Sequence, residues 1–154
     1  MSSPHPDEPD ALLRAHAGPQ ERVRLHVRNF SLDAMGRTSW AETAEHPSAL
    51  DYLLAALATD LLAGVAHESR RGGPVIHDAE LRLQAWLEHP LVVAGVVGEL
   101  GSARVREVRG SLYLSTDAVP AETDALWARV HARAPVLASL APGVAIHVQI
   151  QVVS

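Results

Sequence analysis

The sequence contains no cysteine among its 154 residues. A chain without cysteine has no disulfides, no thiolate metal sites and no thiol nucleophiles. Any chemistry that it performs must therefore use histidine, carboxylates or other polar side chains. We expect no cofactor and no metal.

Aromatic residues are scarce as well, at 4% of the chain, and basic residues are outnumbered. The 13 Lys and Arg residues are dispersed among 18 Asp and Glu residues, which gives a formal net charge of −5. Nucleic-acid-binding surfaces usually combine clustered cations with aromatic rings on which bases stack. The composition therefore argues against nucleic acid as a partner.

Long hydrophobic runs are also missing. The longest, at residues 91–97, is far shorter than the roughly 20 apolar residues that cross a bilayer. The first ten residues have neither the basic start nor the apolar stretch of a secretory signal. We therefore expect a cytoplasmic protein without a membrane partner.

What is present is enough apolar surface for one core, since 47% of the residues are hydrophobic. Residues 1–20 hold four prolines and no hydrophobic period, which predicts a flexible N-terminal tail. Residues 21–154 are predicted to form a single domain.

Two segments have the period of an amphipathic helix. The first follows Pro47, with Ser48 as a plausible N-cap, and is stopped by residues 70–74, which are two arginines, two glycines and a proline. The second begins at Pro120 and ends near Pro135. The glycine-rich stretch at residues 91–101 is compatible with either a short helix or a loop.

Alternating apolar and polar residues predict strands at residues 22–28, 75–87, 105–116 and 144–152. One or two weaker strands are expected between residues 30 and 46. Strands and helices follow one another without a βαβ repeat. This order favours an α+β fold with a mainly antiparallel sheet and two central helices.

Two stretches carry a resemblance to a known family. Residues 47–60, PSALDYLLAALATD, resemble the core-helix signature of the OsmC/Ohr family. Residues 108–136 resemble the second half of that family, and Ala134, Pro135 and Val136 are similar to its Cys-Pro-Val step. The resemblance extends over residues 22–153.

The resemblance implies an intertwined homodimer with active sites at the interface, and active members are thiol-dependent hydroperoxide reductases. The peroxidatic cysteine of the family falls on Asp60 here, and the resolving cysteine falls on Ala134. A glutamate found in peroxidase branches falls on Leu50, one residue from Asp51. The family's arginine is not assigned, because Arg28 and Arg37 are both candidates.

Asp60 is the most informative candidate site residue, because the helical period places it on a largely apolar stripe with Leu53 and Gly64. A carboxylate there is expected to be hydrogen-bonded or paired, to be protonated, or to face a wet cavity. His67 follows two turns later on the same side. Asp60 and His67 are therefore the possible catalytic residues.

The histidines do not predict a metal site. His67 and Asp60 are about 10 Å apart along the helix axis, and the His-x-x-x-His spacing of helical zinc sites is missing. His77 and His131 are the remaining candidates for a third ligand. His147 and His26 are expected to face solvent.

These observations lead to one preferred function and two alternatives. The preferred interpretation is an OsmC-like homodimer without thiol peroxidase activity that binds a small apolar molecule or has a stress-related role. The first alternative is an enzyme of another class that uses Asp60 as an acid or base. The second is a partner subunit for a cysteine-bearing paralogue.

Overall fold

The computed structural model of the chain describes residues 11–18, 22–38, 40 and 44–153. The chain separates into two compact units, an N-terminal unit, Met1–Tyr52, and a C-terminal unit, Leu53–Ser154. The single domain predicted for residues 21–154 spans both units and stays a prediction.

The N-terminal unit contains a three-stranded antiparallel sheet. Its strands are β1 (Arg14–Ala17), β2 (Arg22–Val27) and β3 (Phe30–Met35), in that spatial order. Arg28, in the two-residue turn between β2 and β3, has a positive φ of 52°, as tight hairpin turns require. The strand predicted from residue 22 is confirmed, and β3 is one of the one or two strands expected between residues 30 and 46.

Strand β1 corrects the prediction of a flexible tail over residues 1–20. Residues 14–17 pair with residues 23–26 of β2, although all four are exposed. Backbone hydrogen bonds hold this strand, and a burial pattern is not needed to form them. The remainder of that prediction, residues 1–10 and 19–20, lies outside the described residues.

Helix α1 (Ala49–Arg70) begins where the sequence predicts it. The Ser48 hydroxyl oxygen accepts the Asp51 backbone N–H at 3.3 Å, and the Asp51 carboxylate accepts the Ser48 backbone N–H at 2.8 Å. This reciprocal pair resembles a capping box and confirms Ser48 as the N-cap. The helix ends at Arg70, and Gly72 in the turn that follows has a φ of 94°, which suits a residue without Cβ.

The C-terminal unit contains a second three-stranded sheet. Its strands are β4 (Asp78–Leu87), β5 (Val105–Ser115) and β6 (Ala145–Val153). β4 pairs with β5 antiparallel, whereas β5 pairs with β6 in parallel. The predicted mainly antiparallel sheet is thus two sheets with one parallel pairing, because the helices between β5 and β6 return the chain in the same direction.

Three further helices are α2 (Pro90–Val93), α3 (Pro120–Arg133) and α4 (Pro135–Leu140). Helix α2 shows that the beginning of the stretch at residues 91–101, which was compatible with a short helix or a loop, is a short helix. Helix α4 was not predicted, because Pro135 was interpreted as the end of the second helix. Ala134 leaves the helical region (φ −86°, ψ 103°), as expected of a residue before proline, and Pro135 then starts a new helix.

One hydrophobic core joins the two long helices to the sheet of the C-terminal unit. Its fully buried members come from α1 (Leu57, Leu61, Val65), β5 (Val108, Leu112, Leu114) and α3 (Leu126, Val130). Alternate residues of β4 and β6 pack against this core. The two central helices and the α+β class are therefore confirmed.

Helix α1 also corrects the expectation that no segment is long enough to cross a membrane. It has 22 residues, and an 18-residue window within it has a mean hydropathy of 1.6. Length and composition alone would allow it to span a bilayer. Three of its residues, Leu57, Leu61 and Val65, are buried in the core of the C-terminal unit. The cytoplasmic placement stays a prediction.

Candidate functional site

Asp60 lies half-buried in the fourth turn of α1 and binds a different helix. Its Oδ2 atom accepts hydrogen bonds from the backbone N–H groups of Val136, at 2.9 Å, and Leu137, at 3.1 Å. These amides belong to the first turn of α4, where N–H groups have no intrahelical partner and the helix dipole favours a negative charge. The carboxylate therefore caps α4 from 76 residues away.

Ala134 is directly next to this cap. It precedes Pro135 at the N-terminus of α4 and is 4% exposed. The hydrogen bonds of Asp60 thus bring together the two positions that the resemblance assigns to the family's cysteines. The present side chains at these positions are a carboxylate and a methyl group.

A cavity of about 440 Å³ lies beside this pair. Buried Val130 and Ala134 contribute apolar surface, and Ala63 and Gly64 add surface without large side chains. The other lining residues are polar or charged: Asp60, His67, Glu68, Arg70 and Arg133. The cavity combines an apolar patch with a charged margin.

His67 lines this cavity together with Asp60, so the structure brings the two candidate residues to one space. Among the described residues, no hydrogen bond joins them, and the partners of Asp60 are backbone amides. The arrangement is that of a satisfied carboxylate at a cavity wall. A catalytic role for either residue stays a prediction.

Glu68 forms an ion cluster that was not predicted from the sequence. Its carboxylate accepts hydrogen bonds from Arg129 Nε at 3.1 Å and Arg133 Nη1 at 2.7 Å, and the residue is 4% exposed. Burial opposes ionisation, but the hydrogen bond from Arg129 and the charge of Arg133 outweigh it and hold the pKa of Glu68 below its usual value.

A signal for this cluster exists in the sequence. Arg129 and Arg133 are four residues apart on α3 and therefore share one face of the helix. Glu68 continues the stripe of Leu57, Leu61 and Val65 on α1. A carboxylate on a core stripe requires a cationic partner, and two arginines on one face of a neighbouring helix can provide it.

The other candidate residues have separate roles. His77 Nε2 lies 3.3 Å from Asp117 Oδ2, and the His131 ring contacts the Trp127 ring edge-on at 4.7 Å. Neither histidine lines the cavity. Within the described part of the chain, no group of three or more His, Asp or Glu residues is placed to hold a metal ion.

Comparisons with known proteins identify the fold. No protein-family model matches the chain, and no curated protein matches it. Among solved structures, it is similar to an OsmC-like protein from Mycoplasma pneumoniae at 16% identity, with a TM-score of 0.80 over 96% of this chain and 99% of that one.

Two further structures show the same likeness. A putative osmotic stress induced and detoxification response protein from Psychrobacter arcticus is 14% identical, with a TM-score of 0.73 over 96% of this chain and all of that chain. The organic hydroperoxide resistance protein OhrB of Bacillus subtilis is 14% identical, with a TM-score of 0.66 over 92% of this chain and 97% of that one. The chain therefore has the OsmC-like fold.

Proposed function

We propose that this protein is an OsmC-like homodimer without thiol peroxidase activity that binds a small molecule in the cavity beside Asp60. The observation that carries the proposal is the Asp60 carboxylate. It stands where the resemblance implies the peroxidatic cysteine, and the first turn of α4 holds it through two amides. A group in this arrangement stabilises the fold.

Thiol peroxidase chemistry requires a thiolate that attacks the O–O bond and a second thiol that resolves the oxidised sulfur. The chain contains no thiol, since it has no cysteine. A carboxylate cannot replace the thiolate, because its oxygen cannot be cycled by a dithiol reductant. The fold is retained while the chemistry of the resemblance is lost.

The cavity itself supports a binding role. Its volume of about 440 Å³ falls within the range of small-molecule pockets. Ala63, Gly64, Val130 and Ala134 form the apolar part of the wall, which suits the apolar body of a ligand. The proposed ligand is accordingly a small apolar molecule.

Helix α1 supports the homodimer. Its buried residues lie on one stripe, Leu57, Leu61, Val65 and Glu68. At about 100° per residue, Ala55, Ala63 and Ala66 lie on a different side of the helix, and all three are exposed. An exposed face of small residues allows a second helix to approach closely, and Ala63 would place the cavity at the resulting seam.

The alternative of an enzyme that uses Asp60 as acid or base has one observation in its favour, since His67 lines the same cavity. The backbone amides already occupy Oδ2 of Asp60, so we rank this function second. Partnership with a cysteine-bearing paralogue is the third possibility. Light scattering tests this partnership, because a mixture of this chain with the paralogue would contain a complex whose mass neither chain shows alone.

The first test is a peroxidase assay. We expect purified protein to show no dithiol-dependent reduction of cumene hydroperoxide or hydrogen peroxide above a buffer blank. Turnover that copurifies with the protein through a second chromatographic step would contradict the proposal. As a companion, the double variant Asp60→Cys, Ala134→Cys returns both thiols, and we expect little turnover from it because the glutamate and arginine of the peroxidases are not restored.

The second test measures binding with the fluorescent probe 8-anilinonaphthalene-1-sulfonate, which combines apolar aromatic rings with an anionic sulfonate. We expect saturable fluorescence enhancement in the wild type and its loss in Ala63→Phe, which fills the cavity. Ala132→Phe is the matched control, because Ala132 is an exposed helical alanine that does not line the cavity. Equal binding by both variants would exclude the cavity as the site.

A further inference from the structure

The outward face of the β4–β5–β6 sheet is built from polar side chains. The register places Gln84, Arg109 and His147 in one row across the three strands, and Arg82, Ser111 and Gln149 in the next row. The opposite face of the same strands packs on the core with α1 and α3. This polar face is therefore independent of the cavity at Asp60.

The side chains of Arg82 and Arg109 on this face extend in opposite directions along the strands. The Arg82 guanidinium lies 5.3 Å from the centre of the Tyr113 ring, one row towards the start of β4. The Arg109 guanidinium lies 5.2 Å from the centre of the Trp86 ring, one row towards the end of β4. These opposite orientations leave a gap between the two arginine side chains.

Two glutamates hold the arginines in these positions. Glu80 accepts a hydrogen bond from Arg82 Nε, and Glu107 accepts one from Arg109 Nε, each at 2.7 Å. Both terminal nitrogens of Arg82 and the Nη1 group of Arg109 have no hydrogen-bond partner among the described residues. The guanidinium groups are thus oriented and still have donors to offer.

The gap is a cavity of about 330 Å³, lined chiefly by Arg82, Gln84, Arg109, Ser111, His147 and Gln149. Of the described residues that line it, none is Asp or Glu. The charged side chains of the lining are therefore the two arginines, and their partners Glu80 and Glu107 lie outside the lining. Such a lining favours the binding of an anion. The glutamine amides and the Ser111 hydroxyl both donate and accept hydrogen bonds, so they favour ligand hydroxyl groups next to that anion.

We propose that this face binds a small phosphate monoester with a polyol body, such as a sugar phosphate. Guanidinium groups match the geometry of phosphate oxygens and donate charge-assisted hydrogen bonds. Gln84 and Ser111 lie between the arginines, and Gln149 lies beside Ser111 on β6, so these three side chains are placed to bind the hydroxyl groups. The cavity volume is at the lower end for small-molecule sites, which limits the ligand to about one sugar ring.

The test is a titration of the full-length protein with glucose 6-phosphate, inorganic phosphate and glucose. Backbone amide chemical shifts measured by NMR detect the binding. Glucose 6-phosphate is expected to produce saturable shifts at Ser111 and Gln149, and inorganic phosphate is expected to compete for the same site. Glucose alone is expected to bind more weakly than its phosphate. Equal shifts from glucose and glucose 6-phosphate, or no saturable shift from the phosphate, would overturn the proposal.

Variants locate the site. Arg82→Gln and Arg109→Gln are each expected to weaken glucose 6-phosphate binding by about tenfold or more. Arg104→Gln is the matched control, because Arg104 is an exposed arginine paired with Glu88 that does not line the cavity. All three substitutions are at exposed positions, and unchanged circular dichroism shows that the fold is retained. Equal loss in all three would show general charge attraction and would refute the site.

Discussion

Asp60 shows how one side chain can hold two distant elements together. Its carboxylate satisfies two amide groups that would otherwise lack partners at the start of α4. Helix α4 has six residues, too few to be stable by its own propensity. The charge on α1 is therefore part of what keeps α4 in place.

Substitution of Asp60 separates hydrogen bonding from charge. Asp60→Asn keeps an oxygen acceptor and loses only the interaction with the helix dipole, so we expect a loss of about 0.3–1 kcal/mol. Asp60→Ala leaves both amides without the acceptor and is expected to cost about 1–2 kcal/mol. Urea denaturation at pH 7 measures both. An Asn variant that is less stable than the Ala variant would contradict the capping role.

Because of Glu68, the free energy of unfolding is expected to decrease at acid pH. Because its pKa is lower in the folded state than in the unfolded state, its contribution is fully present above the unfolded pKa of about 4.3 and is lost as the pH falls through the folded value. Glu68→Gln removes this contribution. We expect the melting temperature of the wild type to exceed that of Glu68→Gln at pH 7, and the difference to shrink below about pH 4.3.

A matched control for this pH profile is Glu99→Gln, since Glu99 is an exposed carboxylate with no ion pair among the described residues. Its melting temperature should follow that of the wild type at every pH. If the gap between wild type and Glu68→Gln were constant from pH 7 to pH 3, the ionised cluster would not be its source.

At the scale of elements, the contact between α1 and α3 depends on a glycine. A Cβ atom added at Gly64 would lie 2.8 Å from Val130 Cγ1, and Val130 is 1% exposed. The missing side chain lets the two helices approach. It also leaves room in the cavity, because Gly64 and Val130 both line it.

Gly64→Ala is therefore expected to destabilise the protein. Alanine improves helix propensity by about 1 kcal/mol, but overpacking in a closed core costs about 1–3 kcal/mol. We expect a net loss of about 1 kcal/mol in chemical denaturation. The double variant Gly64→Ala, Val130→Ala makes room for the new methyl group, so the penalty of Gly64→Ala should vanish in the Val130→Ala background. A penalty that persists there would place the cause elsewhere.

At the scale of the whole molecule, the exposed alanines of α1 predict association with a second copy. Light scattering should give twice 16.5 kDa, and the unfolding midpoint should rise with protein concentration. Ala66→Glu places a charge on the proposed seam and should shift the mass towards that of the monomer. Ala132→Glu, at an exposed alanine of α3, should leave it unchanged. A wild-type mass of 16.5 kDa would contradict the dimer.

The sequence alone determined the elements whose signals are local. The α1 helix, its Ser48 cap and the strands β2, β4, β5 and β6 follow from hydrophobic period and capping chemistry within a few residues, whereas β3 has only a weak period. The absence of cysteine likewise excluded thiol chemistry without any structure. The order of strands and helices predicted the α+β fold, and the family resemblance assigned the family's two cysteine positions to Asp60 and Ala134.

Only the tertiary structure decided how distant residues meet. Strand β1 has no buried face, and α4 is too short to have a hydrophobic period, so neither has a local signal. Asp60 caps α4, and two arginines of α3 surround Glu68. Both contacts join residues more than 60 positions apart. Such pairs depend on how α1 and α3 pack, and a linear pattern shows which side chains need partners but not which partners the fold provides.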